Sequence, residues 1–189
     1  WTEVSELNTA RNRLGGAATS NTAALAFGGE NTDDAVVAVN ESWDGTSWAE
    51  VGDLNTARYG LTGGGGGMPN TTALASGGYT NSSSGVTSTE EFSFPSTPGV
   101  QTGQVWIKTA VGVDTVMKGY QQKGTGAWAS GGNLNTARNG VQNSGGGTQT
   151  AGLCFGGASP SILNEAYDGS SWTEVAELNS AKFYHGGAG

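Results

Sequence analysis

A block of ten residues that occurs four times constrains the fold of this chain more than any other feature. The copies read WTEVSELNTA from Trp1, WAEVGDLNTA from Trp48, WASGGNLNTA from Trp128 and WTEVAELNSA from Trp172. The four tryptophans are 47, 80 and 44 residues apart. A period in the mid-forties is the length of a four-stranded propeller blade and is longer than a leucine-rich or ankyrin unit. The chain is therefore predicted to repeat one supersecondary unit.

Two further features recur in register with the tryptophan block. A short apolar run ends in a glycine pair at Gly28-Gly29, Gly77-Gly78 and Gly156-Gly157, and an acidic residue then precedes an aromatic one in Asn40-Glu41-Ser42-Trp43, Thr89-Glu90-Glu91-Phe92 and Asn164-Glu165-Ala166-Tyr167. In the middle repeat the distance from the aromatic to the next tryptophan is 36 residues instead of five. This indicates an insertion of 31 residues (36 − 5), whose removal reduces the spacing of 80 to 49 and restores the period.

The local sequence predicts β-structure and almost no helix. Asp44-Gly45 and Asp168-Gly169 each lie between two aromatic residues, which predicts a hairpin with a type I′ turn, since both central residues of that turn need a positive φ. The runs at 35–39 and 48–51 are short and contain β-branched or aromatic residues. No sustained 3.6-residue apolar period occurs. The 34 glycines recur with the repeat, which favours strand ends and closely packed sheets over low complexity.

The arrangement of glycine pair, aromatic residue, tryptophan and arginine resembles the kelch family over residues 1–92 and 126–189. The resemblance implies an all-β fold of propeller blades with four antiparallel strands each, as three blade-lengths and partial blades at both ends. Residues 1–7 would be a fourth strand, and 185–187 would lie in a new first strand. Because so few blades leave sheet edges exposed, we expect a piece of a longer polypeptide, closed by further residues or by sister chains in a homo-oligomer.

The sequence pattern DGTSW…EV..LNTAR…ALAFGG is similar to that of kelch-like arrays in structural and tail-fibre proteins of marine bacteriophages, cyanophages especially. Residues 93–125 are predicted to leave the blade as an inserted segment. Within it, 103–109 and 115–120 resemble the GQ-aromatic hairpin that punctuates phage fibres. A projecting hairpin would expose Trp106, Ile107 and Val116, so these residues are expected to dock on a neighbouring subunit or a second domain, with ligand binding as the weaker alternative.

Composition argues against several classes of function. Eight basic and sixteen acidic residues give a formal net charge of −8, which opposes nucleic-acid binding. No apolar run approaches the roughly 20 residues that span a bilayer, so no membrane insertion is expected. Cys154 matches Ala26 and Ala75 in the other repeats and is interpreted as a core residue rather than a nucleophile. The only histidine, His185, provides neither a metal site nor an acid–base pair, and no cofactor is expected.

Polar residues that recur from repeat to repeat are interpreted as structural, because a catalytic residue would usually occur once. They are Arg11, Arg58, Arg138 and Lys182, with Glu3, Glu50 and Glu174, for which we expect a ladder of ion pairs or carbonyl contacts between blades. The Asn-Thr pairs at 8–9, 55–56 and 135–136 suit the turn between blades. Asp44 and Asp168 resemble the Asp-box of sialidases only superficially, since Asp and Gly are contiguous here. Galactose oxidase shares the kelch fold, but its copper site needs more than one histidine.

The connections that vary most between repeats follow the glycine pairs, at 30–34, 79–85 and 158–161. Propellers bind partners through such loops where they converge at one face. The candidate ligand-facing residues are Asn31, Thr32, Asp33, Tyr79, Thr80, Asn81, Ser159 and Ser161. Hydroxyls, amides and an aromatic ring suit hydrogen bonding and stacking against a sugar, so a host-surface glycan is the predicted ligand. The alternative is that these residues form ordinary solvated turns.

Two classes of function remain open. The first is a non-enzymatic virion component, in a tail fibre, tail or capsid surface, that assembles with other virion proteins, displays loops and recognises a host surface. The second is a secreted or cell-surface bacterial adhesion propeller. A glycan-cleaving enzyme has only the fold in its favour, and a fold does not establish a function. The phage-like insertion favours the virion interpretation.

Overall fold

Antiparallel strands make up the whole of the regular structure that is described for this protein. A computed structural model describes residues 2–63, 70–81, 84–94, 105–108, 116–119, 125–141, 145–157 and 161–181, with only the backbone for 105–108, 116–119 and 145–146. Over these ranges the protein is all-β and contains no helix. The expected near-absence of helix is confirmed for this part of the chain.

The strands are short and follow one another closely along the chain. In order they are β1 (Arg11–Asn12), β2 (Gly15–Ser20), β3 (Ala23–Phe27), β4 (Glu30–Asn31), β5 (Asn40–Trp43), β6 (Trp48–Glu50), β7 (Thr62–Gly63), β8 (Thr72–Ser76), β9 (Thr89–Ser93), β10 (Val105–Lys108), β11 (Val116–Gly119), β12 (Ala127–Ser130), β13 (Gly145–Thr148), β14 (Ala151–Phe155), β15 (Asn164–Tyr167) and β16 (Trp172–Glu174).

Each repeat forms one four-stranded antiparallel sheet. Sheet 1 has the order β2-β3-β5-β6, sheet 2 has β7-β8-β9-β12 and sheet 3 has β13-β14-β15-β16. Two smaller sheets, β1-β4 and β10-β11, have two strands each. One four-stranded sheet per repeat is what the period in the sequence predicts.

The block tryptophans occupy equivalent positions on the fourth strand of each sheet. Trp48 lies opposite Trp43, Trp128 opposite Phe92 and Trp172 opposite Tyr167. The rings of each pair are in contact, with centroids 4.9–5.4 Å apart. The three tryptophans are therefore equivalent within their sheets, in agreement with the repeat in the sequence.

The hairpin between the third and fourth strands is present, but its turn differs from the expected type I′. The loop has four residues, 44–47, and the Asp44 carboxylate accepts hydrogen bonds from the backbone N–H groups of Thr46 at 2.8 Å and Ser47 at 2.9 Å. These bonds lower the pKa of Asp44. Gly45 has a positive φ of 95°, whereas Asp44 does not have a positive φ. Because the carboxylate accepts hydrogen bonds from two backbone N–H groups, it stabilises a four-residue loop in place of the expected two-residue turn.

Two predicted strands are wrong. Residues 35–39 are irregular apart from a bridge between Val36 and Glu30, because their backbone groups bind other segments, as when Val37 N–H donates to Gly29 O at 3.0 Å. The third strand begins at Asn40. Residues 2–7 form no strand, since no described strand pairs with them. The predicted strand at 185–187 lies outside the described residues.

The insertion contains the predicted hairpin. β10 pairs antiparallel with β11, with Ile107 opposite Met117. The insertion separates the third strand of sheet 2 from its fourth, and Ser93 still pairs with Ala127. The segment therefore leaves the sheet slightly later than the predicted boundary at residue 93. The side chains of Trp106, Ile107 and Val116 are outside the described part of the structure, so their docking role stays a prediction.

The sheets pack against one another in sequence order. Phe27 of sheet 1 meets Trp128 of sheet 2 edge-to-face, with ring centroids 5.0 Å apart. Tyr167 of sheet 3 donates a hydrogen bond to Glu91 of sheet 2 at 2.5 Å. At Gly63 even a Cβ atom would lie only 2.3 Å from Gly16 O, so the first strands of sheets 1 and 2 approach too closely for a side chain. The core lies between the sheets.

A buried arginine joins sheet 2 to sheet 1, and another joins sheet 3 to sheet 2. Arg58 follows the fourth strand of sheet 1, and its carbonyl oxygen accepts a hydrogen bond from Gly29 N–H of sheet 1 at 2.9 Å. Its guanidinium forms a short ion pair with Glu90 of sheet 2 and donates to Ser88 O at 2.8 Å. We call this ion pair and its equivalents the Arg–Glu tie. Because both charges are buried, Arg58 anchors the connection between two sheets.

The Arg–Glu tie occurs three times with the same partners. The pairs are Arg11–Glu41, Arg58–Glu90 and Arg138–Glu165. Each glutamate also accepts hydrogen bonds from the two backbone N–H groups of the preceding Asn-Thr pair. The structural interpretation of the arginines and of the Asn-Thr pairs is thus confirmed, whereas Lys182 lies outside the described residues.

The predicted glutamate partners of the arginines are wrong. Glu3, Glu50 and Glu174 are exposed, and the partners are instead the acidic residues of the third strand. The fourth strand is the outer strand of each sheet, and the second residue after its tryptophan points to solvent. The third strand is flanked on both sides by other strands, and its residues Glu41, Glu90 and Glu165 are buried and need a cation.

Breaking one tie should destabilise the fold strongly. Arg58→Met leaves the Glu90 carboxylate buried without a cation, so we expect the free energy of unfolding in urea to fall by about 3–5 kcal/mol. The double variant Arg58→Met with Glu90→Gln should recover part of this loss. As a control, Arg13→Met removes an ion pair whose arginine is 57% exposed and should cost about 1 kcal/mol or less. An equal loss in both single variants would contradict the anchoring role.

Candidate functional site

The predicted ligand-facing loops lie at one end of their sheets, since each connects the second strand to the third. Strand direction alternates in these sheets, so the segments that link one sheet to the next emerge at the same end. The hairpin loops at 44–47 and 168–171 lie at the opposite end. The end that carries the variable loops therefore also carries the residues that directly follow Arg11, Arg58 and Arg138.

In the first loop, Asn31 holds the backbone together. Its side-chain oxygen accepts hydrogen bonds from the N–H groups of Asp33 and Ala35, both at 3.0 Å. Asp34 has a left-handed φ of 58°, which the tight loop requires. Thr32 and Asp33 are exposed. Of the residues predicted here, Thr32 and Asp33 present side chains to solvent, while the Asn31 oxygen serves the loop itself.

In the second loop, Tyr79 is paired with a tyrosine that the sequence did not single out. The backbones of Tyr79 and Tyr59 exchange two hydrogen bonds, of 2.8 and 2.9 Å. Their rings stack with centroids 5.2 Å apart and an interplanar angle of 22°. Both tyrosines are half-buried, Thr80 is half-buried and Asn81 is exposed. Tyr59 occupies the position of Asn12 and Asn139 in the other repeats, and that difference is the signal in the sequence that could have identified it.

A second unpredicted residue, Arg13, extends the tyrosine stack. Its guanidinium lies 5.5 Å from the centroid of the Tyr59 ring and pairs with Glu30 at 2.8 Å. Its φ is 53°, in the left-handed region, where the equivalent Gly60 and Gly140 have 61° and 63°. This conformation costs a residue with a Cβ about 1–2 kcal/mol. We name Arg13, Glu30, Tyr59 and Tyr79 the tyrosine–arginine cluster.

The tyrosine–arginine cluster joins the first two variable loops into one surface. Glu30 belongs to the first loop, Tyr79 to the second, and Arg13 and Tyr59 lie between them. Aromatic rings bind the apolar faces of sugars, and a guanidinium donates hydrogen bonds to hydroxyls or carboxylates. Among the described residues the cluster occurs at one repeat junction, whereas the Arg–Glu tie occurs at three.

The third predicted loop contributes less. Ser159 lies outside the described residues. Ser161 is half-buried, and its hydroxyl oxygen accepts a hydrogen bond from Leu163 N–H at 3.1 Å. The tyrosine–arginine cluster thus connects the first two loops through Glu30 and Tyr79, and Ser161 is not part of the cluster.

Cys154 is fully buried, and burial raises its pKa to about 12. This agrees with its interpretation as a core residue. No group of three or more His, Cys, Asp or Glu side chains suited to a metal ion occurs among the described residues. Over the same ranges, no helix is long and apolar enough to cross a membrane.

Comparison with known proteins does not assign this chain to a family. No protein-family model matches the chain, and no curated protein matches it significantly.

The thiol of Cys154 should be inert in the folded protein. With its pKa near 12, the thiolate needed for attack is scarce at pH 8, and no part of the residue is exposed. We expect an aromatic disulfide reagent at pH 8 to label no thiol in native protein and one thiol per chain in denaturant. Rapid labelling of the native protein would contradict the core assignment.

Proposed function

We propose that this chain is a non-enzymatic component of a bacteriophage virion, in a tail fibre, tail or capsid surface, that displays loops for recognition of a host surface. The observation that carries the proposal is the division between repeated and unrepeated polar residues. The recurring arginines and the recurring glutamates of the third strands are buried in the Arg–Glu ties, whereas the first two variable loops lie at one end of the sheets. A rigid repeated scaffold with variable loops suits display.

The three sheets are proposed to be blades of a kelch-like propeller. Equivalent backbone positions of successive sheets lie side by side, as strands around a common axis would. Arg13 O accepts a hydrogen bond from Gly60 N–H at 2.9 Å, and a Cβ built on Gly60 would lie 3.7 Å from Gly140 N. These contacts support a common axis towards which the segments preceding the first strands converge, at the end of the sheets that carries the variable loops.

The proposed phage origin is supported by the similarity of the repeat sequence to phage structural proteins and by the GQ-aromatic pattern of the insertion. The paired strands β10 and β11 agree with a hairpin at that place. Its Trp106, Ile107 and Val116 are proposed to contact a neighbouring subunit or another virion protein.

The proposed ligand is a host-surface glycan bound at the tyrosine–arginine cluster. The stacked rings of Tyr59 and Tyr79 provide an aromatic surface, and the guanidinium of Arg13, with a side chain 57% exposed, provides hydrogen-bond donors. The exposed Thr32 and Asp33 follow Glu30 of the cluster in the first loop and carry a hydroxyl and a carboxylate. Holding Arg13 in a left-handed conformation at this place is the kind of local strain that collects at functional sites.

The virion assignment is tested on particles. We expect mass spectrometry of purified phage from the source sample to detect peptides of this chain together with a major capsid or portal protein. Recovery of the chain only in a secreted or cell-surface bacterial fraction would favour the bacterial adhesion propeller instead.

Recognition is tested with a glycan array probed by the complete oligomer. Replacement of Tyr79 or Tyr59 by Ala should weaken binding about fivefold, since loss of one stacked ring removes on the order of 1 kcal/mol. Thr46→Ala, in the hairpin loop at the opposite end, is the control and should bind like the original chain. Glycan binding that is unchanged in both tyrosine variants, or absent in the intact oligomer, would leave a purely structural module.

A further inference from the structure

Arg13 occupies a position at which the backbone favours glycine. Its φ of 53° lies in the left-handed region, as do those of the equivalent Gly60 (61°) and Gly140 (63°). A residue with a Cβ is strained in this conformation, whereas glycine is not. The backbone of the sheet therefore does not require an arginine here, and the reason for the residue lies in the contacts of its side chain.

The positive charge of Arg13 is already balanced within the tyrosine–arginine cluster. Its Nη1 donates a hydrogen bond to Glu30 Oε2 at 2.8 Å, and the Glu30 side chain is only 13% exposed. The backbone also fixes this carboxylate, because β4 begins at Glu30 and pairs with β1, where Glu30 lies opposite Asn12. A ligand that approaches Arg13 therefore meets an ion pair and not a lone cation.

The first loop adds further negative charge to this surface. Asp33 and Asp34 are exposed and lie three and four residues after Glu30. Three residues of chain span at most about 11 Å, which is close to the screening length of about 8–10 Å at 0.1–0.15 M salt. The other three arginines of the chain are each paired with a glutamate in an Arg–Glu tie. The loop and the cluster thus combine one arginine with three carboxylates.

We propose, as a refinement that rests on the glycan recognition proposed above, that the glycan bound at the tyrosine–arginine cluster is uncharged where it contacts Arg13. A carboxylate or phosphate at this place would share the guanidinium with Glu30 and would lie about 4–6 Å from it, where like charges repel each other. A sugar hydroxyl adds no charge. It can accept a hydrogen bond from Arg13 and donate one to Glu30.

Glu30 is then the residue that determines the charge preference of the site. A guanidinium without a carboxylate partner binds carboxylates and phosphates through two parallel hydrogen bonds, so removal of the Glu30 charge favours acidic sugars. Arg13 would keep a second contact in that case, because its guanidinium carbon lies 5.5 Å from the centroid of the Tyr59 ring. The charge of Glu30 can therefore be tested separately from the position of Arg13.

The ligand class is tested by titrating the complete oligomer on a glycan array that carries matched pairs of oligosaccharides. The members of each pair end in glucose and glucuronic acid, or in galactose and galacturonic acid. The neutral member should bind about fivefold more tightly or better, since a like-charge contact at a partly exposed site has about this effect. Binding of the neutral member should change little with NaCl concentration, because salt screens only charged contacts.

Two variants of the cluster and one control identify the residues responsible. Glu30→Gln should raise the affinity for the uronic-acid members about fivefold. Glu50→Gln removes the same charge at an exposed position on the fourth strand of sheet 1 and should bind like the original chain. Arg13→Gly should weaken binding of the neutral members about tenfold, through the loss of hydrogen bonds. Its midpoint of urea unfolding should stay unchanged, because relief of the left-handed strain offsets the lost surface ion pair.

The possible outcomes separate the ligand class from glycan recognition itself. Tighter binding of the uronic-acid members by the original chain, or a preference that Glu30→Gln leaves unchanged, would overturn the uncharged ligand and uphold recognition of a glycan. Binding of neutral members that survives Arg13→Gly would also overturn it. If the original chain binds neither member of any pair, the proposed glycan recognition fails as well.

Discussion

The buried contact between an arginine and a glutamate of the next sheet is the interaction on which the rest of this structure depends. Buried ion pairs add little net stability, because removing two charges from water costs about as much as their attraction returns. The two side chains must nevertheless stay in contact, because a buried charge without its partner lowers the stability of the fold. Each glutamate here satisfies the arginine and two backbone N–H groups together, as Glu90 does for Arg58, Asn55 and Thr56. The tie therefore specifies where the connecting segment must lie.

A connection held in this way leaves its neighbouring residues free to change. The residue directly after the arginine is Asn12, Tyr59 or Asn139, and the next is Arg13, Gly60 or Gly140. The backbone at the second of these positions keeps a left-handed φ of 53–63° in all three. Because the tie keeps the backbone in place, an arginine is tolerated where glycine is the unstrained residue. The tyrosine–arginine cluster is built on that tolerance.

Packing of each sheet on its neighbours explains why the outer sheets differ in exposure from the middle one. A residue such as Leu74 is buried only because the next sheet covers it, while Leu153 has the same position in its own sheet and is 41% exposed. In a repeat architecture each unit buries its surface on its neighbours, so the outermost faces remain apolar unless something caps them.

Much of the fold was predictable from the sequence because each structural requirement of the sheet produces the same residue pattern in several repeats. The tryptophan, the glycine pair and the acidic-aromatic motif determined one four-stranded sheet per repeat, and the longer spacing of 80 residues revealed the insertion that contains the hairpin. The turn type, the partner of each arginine and the tyrosine stack depended on the tertiary structure. Glu50 and Glu41 are equally acidic in the sequence, and only their strands decide that one is exposed and the other buried. Likewise, Tyr59 and Tyr79 are 20 residues apart in the chain, and only packing brings their rings together.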